Sequence, residues 1–535
     1  MDPTESNLFA EPANGKKTKR PKARSQQVFK PYTPQQQMLL PPSVEELIPQ
    51  NHLVRVVNKT IDQLNITPLL GTYKGSGTSS YHPLMMTKIL VYAYLSKIYS
   101  SRRIAKALRE DVNFMWLAGM QRPDFRTING FRSGRLKDVI DQVFTSMIEF
   151  CLESNYIQLK HYFVDGTTME ANANRNSYVW AKNTKRYKCA VQEKIKKLLR
   201  QIDEENRQEY LEYGDHDLEE LGNESTMTSD TLKKQIAKLN TIITSQKNKS
   251  TPATKALKEI ETKQLPKLEK YEQQEQRLEG RSSYSKTDTD ATFFRMKNAQ
   301  LLPAYNIMMG TERQFIVNYS VHRKASETDQ FIAHFAKFTS SLGILPDAVI
   351  GDAAYGSEEN YHALSNYQVT PYLHYNTYRQ ERTRKHKQNQ FHRDKFTYEP
   401  LSDSYRCPQE RTVSFVKTLT RTTATGYTQT SRLYQCISCD NCPVATSCKK
   451  GAGNRTVQIS PQLEIYRAQA RELLDTDVGK TVYRKRAIEN ESVFGDIKAN
   501  QEFRRFRLRG KNKVNTEVGL LSIAHNIKKI ALTIH

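Results

Sequence analysis

The spacing of apolar positions changes several times along this chain, and each change marks an element. From about residue 40 to residue 152 the apolar side chains recur every three or four positions, which predicts helices. Pro42-Ser43-Val-Glu-Glu46 offers a cap with carboxylates in the first turn. His82-Pro-Leu-Met-Met-Thr-Lys-Ile-Leu-Val-Tyr-Ala-Tyr-Leu95 predicts a mostly buried helix, and shorter amphipathic ones begin at Ser101 and at Thr127. A β-type run spans 161–168. Residues 176–285 are rich in Lys, Glu and Gln. Their apolar positions (Leu232, Ile236, Leu239, Ile243, Leu257, Ile260 and Leu268) suit an antiparallel helix pair turning near Ser250-Thr-Pro252. Strands return at Pro303–Met309 and Gln314–Val321, a helix follows near Asp329–Leu342, and further strands lead to Asp352 and cover Val369–Leu373. Once the insertions are set aside, this order predicts an α/β core with a mixed sheet.

Charge adds a partner to this picture. The 535 residues carry 81 Lys+Arg against 57 Asp+Glu, a net charge of +24, which points to a polyanion such as nucleic acid. The length predicts two to four units. No apolar run approaches a membrane span, and the first residues lack a signal-peptide pattern, so a cytoplasmic protein acting on nucleoid DNA is expected. Residues 1–27 read as a disordered basic tail, either solvated or touching phosphates.

Two acids close apolar runs. His161-Tyr-Phe-Val-Asp165 is followed by Gly-Thr-Thr, and Asp347-Ala-Val-Ile-Gly-Asp352 by Ala-Ala-Tyr-Gly. Aspartate is a poor strand former, so its place there asks for a reason. A third acid lies on the basic helix 481–499, which offers Glu489 and Glu491. At about 100° per residue, Val482, Tyr483, Val493, Phe494 and Ile497 share the core face. Arg484, Glu491 and Lys498 then fall together on one edge, with Glu489 on the other. That stripe suits a metal ligand beside a phosphate track, or else a solvated i,i+7 charge pattern. Three carboxylates can hold two divalent ions about 3.5–4 Å apart, enough to activate a nucleophile and relieve charge in phosphodiester cleavage.

Cysteines and cations supply two more features. Cys436-Ile-Ser-Cys439-Asp-Asn-Cys442 and Cys448, with Cys407 upstream, have the spacing of a structural Zn²⁺ site. Four of the five suffice: Cys439, Cys442 and Cys448 with either Cys407 or Cys436. Reduced cysteines without metal are the alternative. Phe503–Lys513 holds six cations among three apolar residues, a strip suited to phosphates through Arg504, Arg505, Arg507 and Arg509. Ser285-Lys-Thr-Asp-Thr-Asp290 reads as an Asp-rich turn or as support for a DNA site. His525-Asn526, in a final helix over 514–534, reads as structural.

These blocks resemble a known family. His82-Pro-Leu-Met-Met, Ser101-Arg102-Arg103-Ile and Phe125-Arg-Thr-Ile-Asn-Gly-Phe-Arg132 are similar to the N-terminal domain of bacterial insertion-sequence transposases. The segments around Asp165 and Asp352, with Tyr483, Arg486, Glu491 and Lys498 along one helix, resemble the DDE blocks of the same family. Six residues separate Glu491 from Lys498, as in the family pattern. Four lie between Arg486 and Glu491, one more than the commonest spacing.

The resemblance implies an RNase H-like core with Asp165, Asp352 and Glu491 as catalytic Mg²⁺ (or Mn²⁺) ligands. It also implies excision and joining of DNA ends by a chain expected to act as a homodimer. Phosphate contacts are expected from Arg484, Arg486 and Lys498, and end binding from the stretch carrying Arg102, Arg103 and Arg132. The expected organisation is a DNA-binding helical domain at 28–152, a core at 153–175, 286–380 and 475–535, a coiled-coil-like insertion at 176–285 and a zinc insertion at 381–474. A nuclease without a joining step, or a DNA-binding protein that has lost catalysis, are the competing readings.

Overall fold

The computed structural model describes residues 43–73, 80–213, 227–245, 252–296 and 298–534. The basic tail at 1–27 and the Ser250-Thr251 part of the expected turn lie outside these. The chain divides into units Met1–Leu47 and Ile48–His535. In the first, the described element is the short turn Val44–Leu47, where the Glu45 amide donates to Ser43 Oγ. The rest of the description concerns the second.

Its helical layer includes Leu53–Gln63, Pro83–Leu95, Ser101–Glu110 and Ile140–Glu153. Pro83–Leu95 is buried almost all round, as its unbroken apolar run requires. His82 Nδ1 accepts from the Leu84 amide at 3.2 Å, and Pro83 takes a first-turn position where no amide is needed. This layer shares one hydrophobic core with the sheet and with the last helix, Lys511–Ile534. Tyr94 donates to Glu517 at 3.0 Å across that junction, and Tyr319 donates to Asp141 at 2.6 Å.

The central sheet is mixed, as the pattern predicts. Strand β1 is His161–Glu170. The short pair β2 (Tyr178–Trp180) and β3 (Ser283–Ser285) brackets the long insertion, and β4 is Thr292–Arg295. Strands β5 (Leu301–Glu312) and β6 (Phe315–His322) form a hairpin, followed by β7 (Ala348–Gly351) and β8 (Thr370–Leu373). The order is β4-β5-β1-β7-β8, with β6 beside β4 on the outer edge of β5. β1 runs antiparallel to β5 and parallel to β7, which is parallel to β8. β1 is therefore the hinge between an antiparallel and a parallel half. Helix Phe331–Leu342 covers one face through Phe331, Phe335 and Phe338.

The insertion holds more helix than its pattern suggests. Ala181–Tyr213 and Ser229–Ser245 pack with the run Pro252–Leu278, which contains a π-turn at Ile260–Gln264. Leu232, Ile236, Leu239, Leu257, Ile260 and Leu268 are buried as expected, against Val191, Ile195, Leu199 and Ile202 of the first helix. The expected pair is thus a three-part bundle.

The cysteine-bearing segment folds on a five-stranded antiparallel sheet. It comprises β9 (Thr397–Glu399), β10 (Ser404–Arg406), β11 (Thr412–Thr422), β12 (Thr428–Cys436) and β13 (Thr456–Ile459). Phe396, Val413, Tyr434, Cys436 and Val457 form its small core. It docks on helix Glu358–Asn366, where Tyr427 and Gln429 both donate to Glu358.

Candidate active site

Register brings the first two acids together. The β1–β7 pairing ends at Phe163↔Ile350, and Asp165 and Asp352 each stand two residues beyond that pair. β1 itself continues to Glu170 on the β5 side, so Asp165 lies in mid-strand rather than closing it. The opposite edge of β1 is next paired at Glu170, which bridges Arg505. The edge between these two pairings is where the site lies.

The third acid arrives on the helix Asp477–Arg486 and its continuation. That continuation is a π-turn at Ala487–Glu491, a short α-helical turn Ser492–Gly495 and a second π-turn at Asp496–Asn500. A π-turn accommodates one extra residue. The first therefore takes up the additional residue between Arg486 and Glu491. Arg486 Nη1 lies 3.3 Å from Asp165 Oδ2. Glu489 points the other way: it is buried and accepts from the Gln314 amide at 2.5 Å, at the β5–β6 turn. Glu489 is thus engaged away from β1, and the helix does not keep a constant 100° step. Arg484 is exposed, and Arg486 pairs with Asp165.

Electrostatics tie the three acids to one another. Burial pushes the Asp165 carboxyl above its usual range. Arg486 and the Gly166 amide oppose the shift, while the nearby charges of Asp352 and Glu491 add to it. Burial works against the Arg486 charge, yet Asp165, Tyr483, Asp352 and Glu491 hold its pKa above the ordinary value. Arg486 thus feels the charge of all three acids, and its guanidinium contacts Asp165. Asp352 Oδ1 also accepts from the Ala354 amide at 2.8 Å, which fixes the turn after β7. Lys498 donates to Thr167 Oγ1 at 2.5 Å and to the Thr168 carbonyl at 2.9 Å, on the open edge of β1.

A fourth acid, Glu327, escaped the sequence reading. A Cβ on Gly166 would come within 2.2 Å of Glu327 Oε1, so the glycine is what admits this carboxylate beneath β1. Tyr355 donates to Glu327 Oε2 at 2.7 Å. Burial raises the Glu327 pKa; the Tyr355 hydrogen bond opposes this, and Asp165 and Asp352 add to it. Glu327 sits in a polar stretch without periodicity, so nothing local marks it. Tyr483 stacks on His374, with ring centroids 3.7 Å apart and 10° between the planes. Burial, followed by Arg379, Arg486 and Arg382, pushes the His374 pKa down to about 3.

Two comparisons bear on this arrangement. Residues 406–531 match the family model of a transposase DDE domain, and residues 42–134 match that of a transposase domain (DUF772). These matches support an insertion-sequence DDE transposase. The DDE match contains Glu491 and the five clustered cysteines, while Asp165 and Asp352 precede it. Such a domain belongs to enzymes of the nuclease or transferase type, a family that acts on DNA and generally uses divalent metal ions. Comparison with curated proteins and with solved structures gave no match. Among the described residues no helix is long and apolar enough to cross a membrane.

The expected cationic residues divide into two groups. Arg132 is a correction: it is buried and donates to Tyr94, the Tyr99 carbonyl, Ser101 and Asn129, so it braces the helical layer and cannot reach a phosphate. Arg102 and Arg103 are exposed, with Arg102 lying over the Phe125 ring. Arg505 donates to the carbonyls of Ala171 and Ala173, and Arg509 to that of Asn172; both fasten the chain after β1. Arg504 and Arg507 are exposed beside them. The Asp288–Asp290 turn is structural. Asp288 accepts from Tyr305 and from the Gly510 amide, and Asp290 accepts from the Lys511 amide at the start of the last helix. His525 contacts Asp496 and the Gln314 carbonyl, and Asn526 binds the backbone of Ile316, as a structural pair should.

All five clustered cysteines line one cavity of about 20 Å³. Burial, then Cys439 and Cys407, pushes the Cys436 thiol up to about 11. Burial also raises Cys448. Among the described residues, the one trio of metal-ligating side chains with ligand atoms all within 4.8 Å of one another is His386, His392 and Asp394, which the sequence reading missed.

Proposed function

We propose that this chain binds the ends of an insertion sequence and catalyses both cleavage of the DNA and strand transfer. The observation that carries the proposal is the shared register of Asp165 and Asp352 beyond the last β1–β7 pair, beside the Arg486 guanidinium that contacts Asp165. The sheet order β6-β5-β1-β7-β8 supports an RNase H-like core.

The donor set fits magnesium, because Asp165, Asp352 and Glu491 offer hard oxygens and Glu327 adds a fourth carboxylate nearby. Bound there, Mg²⁺ would activate water or a 3′-hydroxyl and relieve charge on the leaving oxygen. Arg486 neutralises the acids of the resting site and is placed to turn toward a phosphate. Lys498 holds the open edge of β1 where a backbone would pass. Exposed Arg484, Arg504, Arg507, Arg102 and Arg103 supply sequence-independent contacts to the DNA backbone.

Zinc fits the cysteine cavity by donor chemistry. The five cysteines line one small cavity, and a cation there would reverse the upward push on Cys436. We assign it to four of Cys407, Cys436, Cys439, Cys442 and Cys448, with a structural role.

The test is incubation of the purified chain with DNA bearing the element's terminal repeats, with and without Mg²⁺. Specific end cleavage with joined products is expected, and Asp352→Asn should abolish cleavage while end binding survives. Cleavage without joining would make the chain a nuclease, and binding alone would make it a DNA-binding protein. Wild-type cleavage by Asp352→Asn would remove that residue from the triad. Metal analysis without near-stoichiometric zinc would overturn the zinc assignment.

A further inference from the structure

The connection between β8 and β9 carries a feature separate from both sites described above. Helix Arg384–Gln388 holds His386, and the short turn Arg393–Lys395 holds Asp394, with His392 just before it. His386 Nε2 lies 3.9 Å and His392 Nδ1 3.0 Å from the same oxygen, Asp394 Oδ2. Ligands of a tetrahedral first-row ion lie about 3.3 Å apart, given metal–nitrogen and metal–oxygen bonds of about 2.0–2.1 Å. The two distances bracket that value. His386 Nε2 is buried and makes no hydrogen bond, and an unsatisfied buried imidazole nitrogen is costly unless something fills its lone pair.

The surroundings hold these groups in place. Arg393 contacts Asp394 Oδ1 at 3.4 Å, which leaves Oδ2 to the two imidazoles. The same arginine donates to Glu464 at 2.6 Å and to the Gln458 carbonyl, tying the turn to helix Pro461–Asp475 and to β13. Thr383 caps the helix that carries His386. His386 and Asp394 also line a cavity of about 610 Å³, so a water could complete the coordination.

We propose that His386, His392 and Asp394 bind a divalent transition metal ion, Zn²⁺ or a first-row relative, as a clip on the connection between the central sheet and the cysteine-bearing sheet. Two imidazoles and one carboxylate select such an ion over Mg²⁺, which prefers oxygen ligands. The clip is chemically distinct from the thiol cavity, although Phe391 lines that cavity and His392 is the next residue. Closing the short loop 386–394 would fix how the chain leaves the core.

Cobalt separates the two sites, because thiolate ligands give intense near-ultraviolet charge-transfer absorption and imidazole–carboxylate sites do not. The full-length chain, stripped of metal, is titrated with Co²⁺ beside His386→Ala and Asp394→Asn. Both variants should bind one equivalent less than wild type, with any charge-transfer band unchanged. Asp394→Asn keeps the size and polarity of the side chain, so it reports even if His386→Ala fails to fold, and far-ultraviolet circular dichroism checks both. Equal cobalt stoichiometry in wild type and a folded variant would overturn the proposal. Loss of the charge-transfer band in step with the missing equivalent would assign that equivalent to the thiols and also overturn it.

Discussion

Arg132 and Glu327 show how far a residue's type can stand from its role. Arg132 lies in a stretch whose cations suggest DNA contact, yet its guanidinium is spent on neighbours inside the helical layer. Arg132→Ala should cost about 3 kcal/mol, because it leaves buried partners unsatisfied. The denaturant midpoint should fall while the folded variant keeps its affinity for DNA; weakened binding at full stability would return Arg132 to the interface. Glu327 makes the opposite point. Its raised pKa means the protonated form is favoured in the fold. That contribution is complete below the ordinary carboxylate value and is lost as pH rises through the raised one. Glu327→Gln cannot ionise and can still accept from Tyr355. In metal-free buffer it should melt above wild type at pH 8, by a margin that shrinks toward pH 4. A margin independent of pH would show that Glu327 is not buried at a cost. Asp165 and Asp352 were legible because an acid ending an apolar run is locally anomalous. Glu327 was not, because the glycine that admits it is 161 positions away (327 − 166).

Elements were legible where one period persisted. Pro83–Leu95 and the β5–β6 hairpin follow from runs that keep a single pattern. The helix that carries Glu491 does not keep one, and its π-turns left only a single trace in the sequence, the extra residue between Arg486 and Glu491. Because the π-turn holds that residue as an insertion, deleting exposed Ile488 should restore a regular helix and keep both side chains aimed at the site. Cleavage by that variant should stay within about tenfold of wild type, whereas losing the aim of either side chain would cost about a hundredfold or more. Assays of end cleavage decide between these outcomes. The five-stranded sheet was obscured for another reason: Thr412–Thr422 alternates in a strand-like way, but many of its residues are exposed and its core is small, so the cysteines dominated the signal.

At the scale of the whole molecule, charge and core act together. The net charge of +24 predicts salt-sensitive DNA binding, and exposed Arg504 and Arg507 should contribute without regard to sequence. Replacing both with alanine should lower the slope of log affinity against log salt by about 1.8, weakening specific and random DNA alike. An unchanged slope would place the DNA elsewhere. The shared core has a consequence in time. Helix Pro83–Leu95 leaves the ribosome early, but its partner Lys511–Ile534 is made more than four hundred residues later. Until then the face that meets the last helix has no permanent cover, so the nascent chain should depend on chaperones. A transcript broken before Lys511–Ile534 would yield protein destined for degradation rather than a shortened competitor.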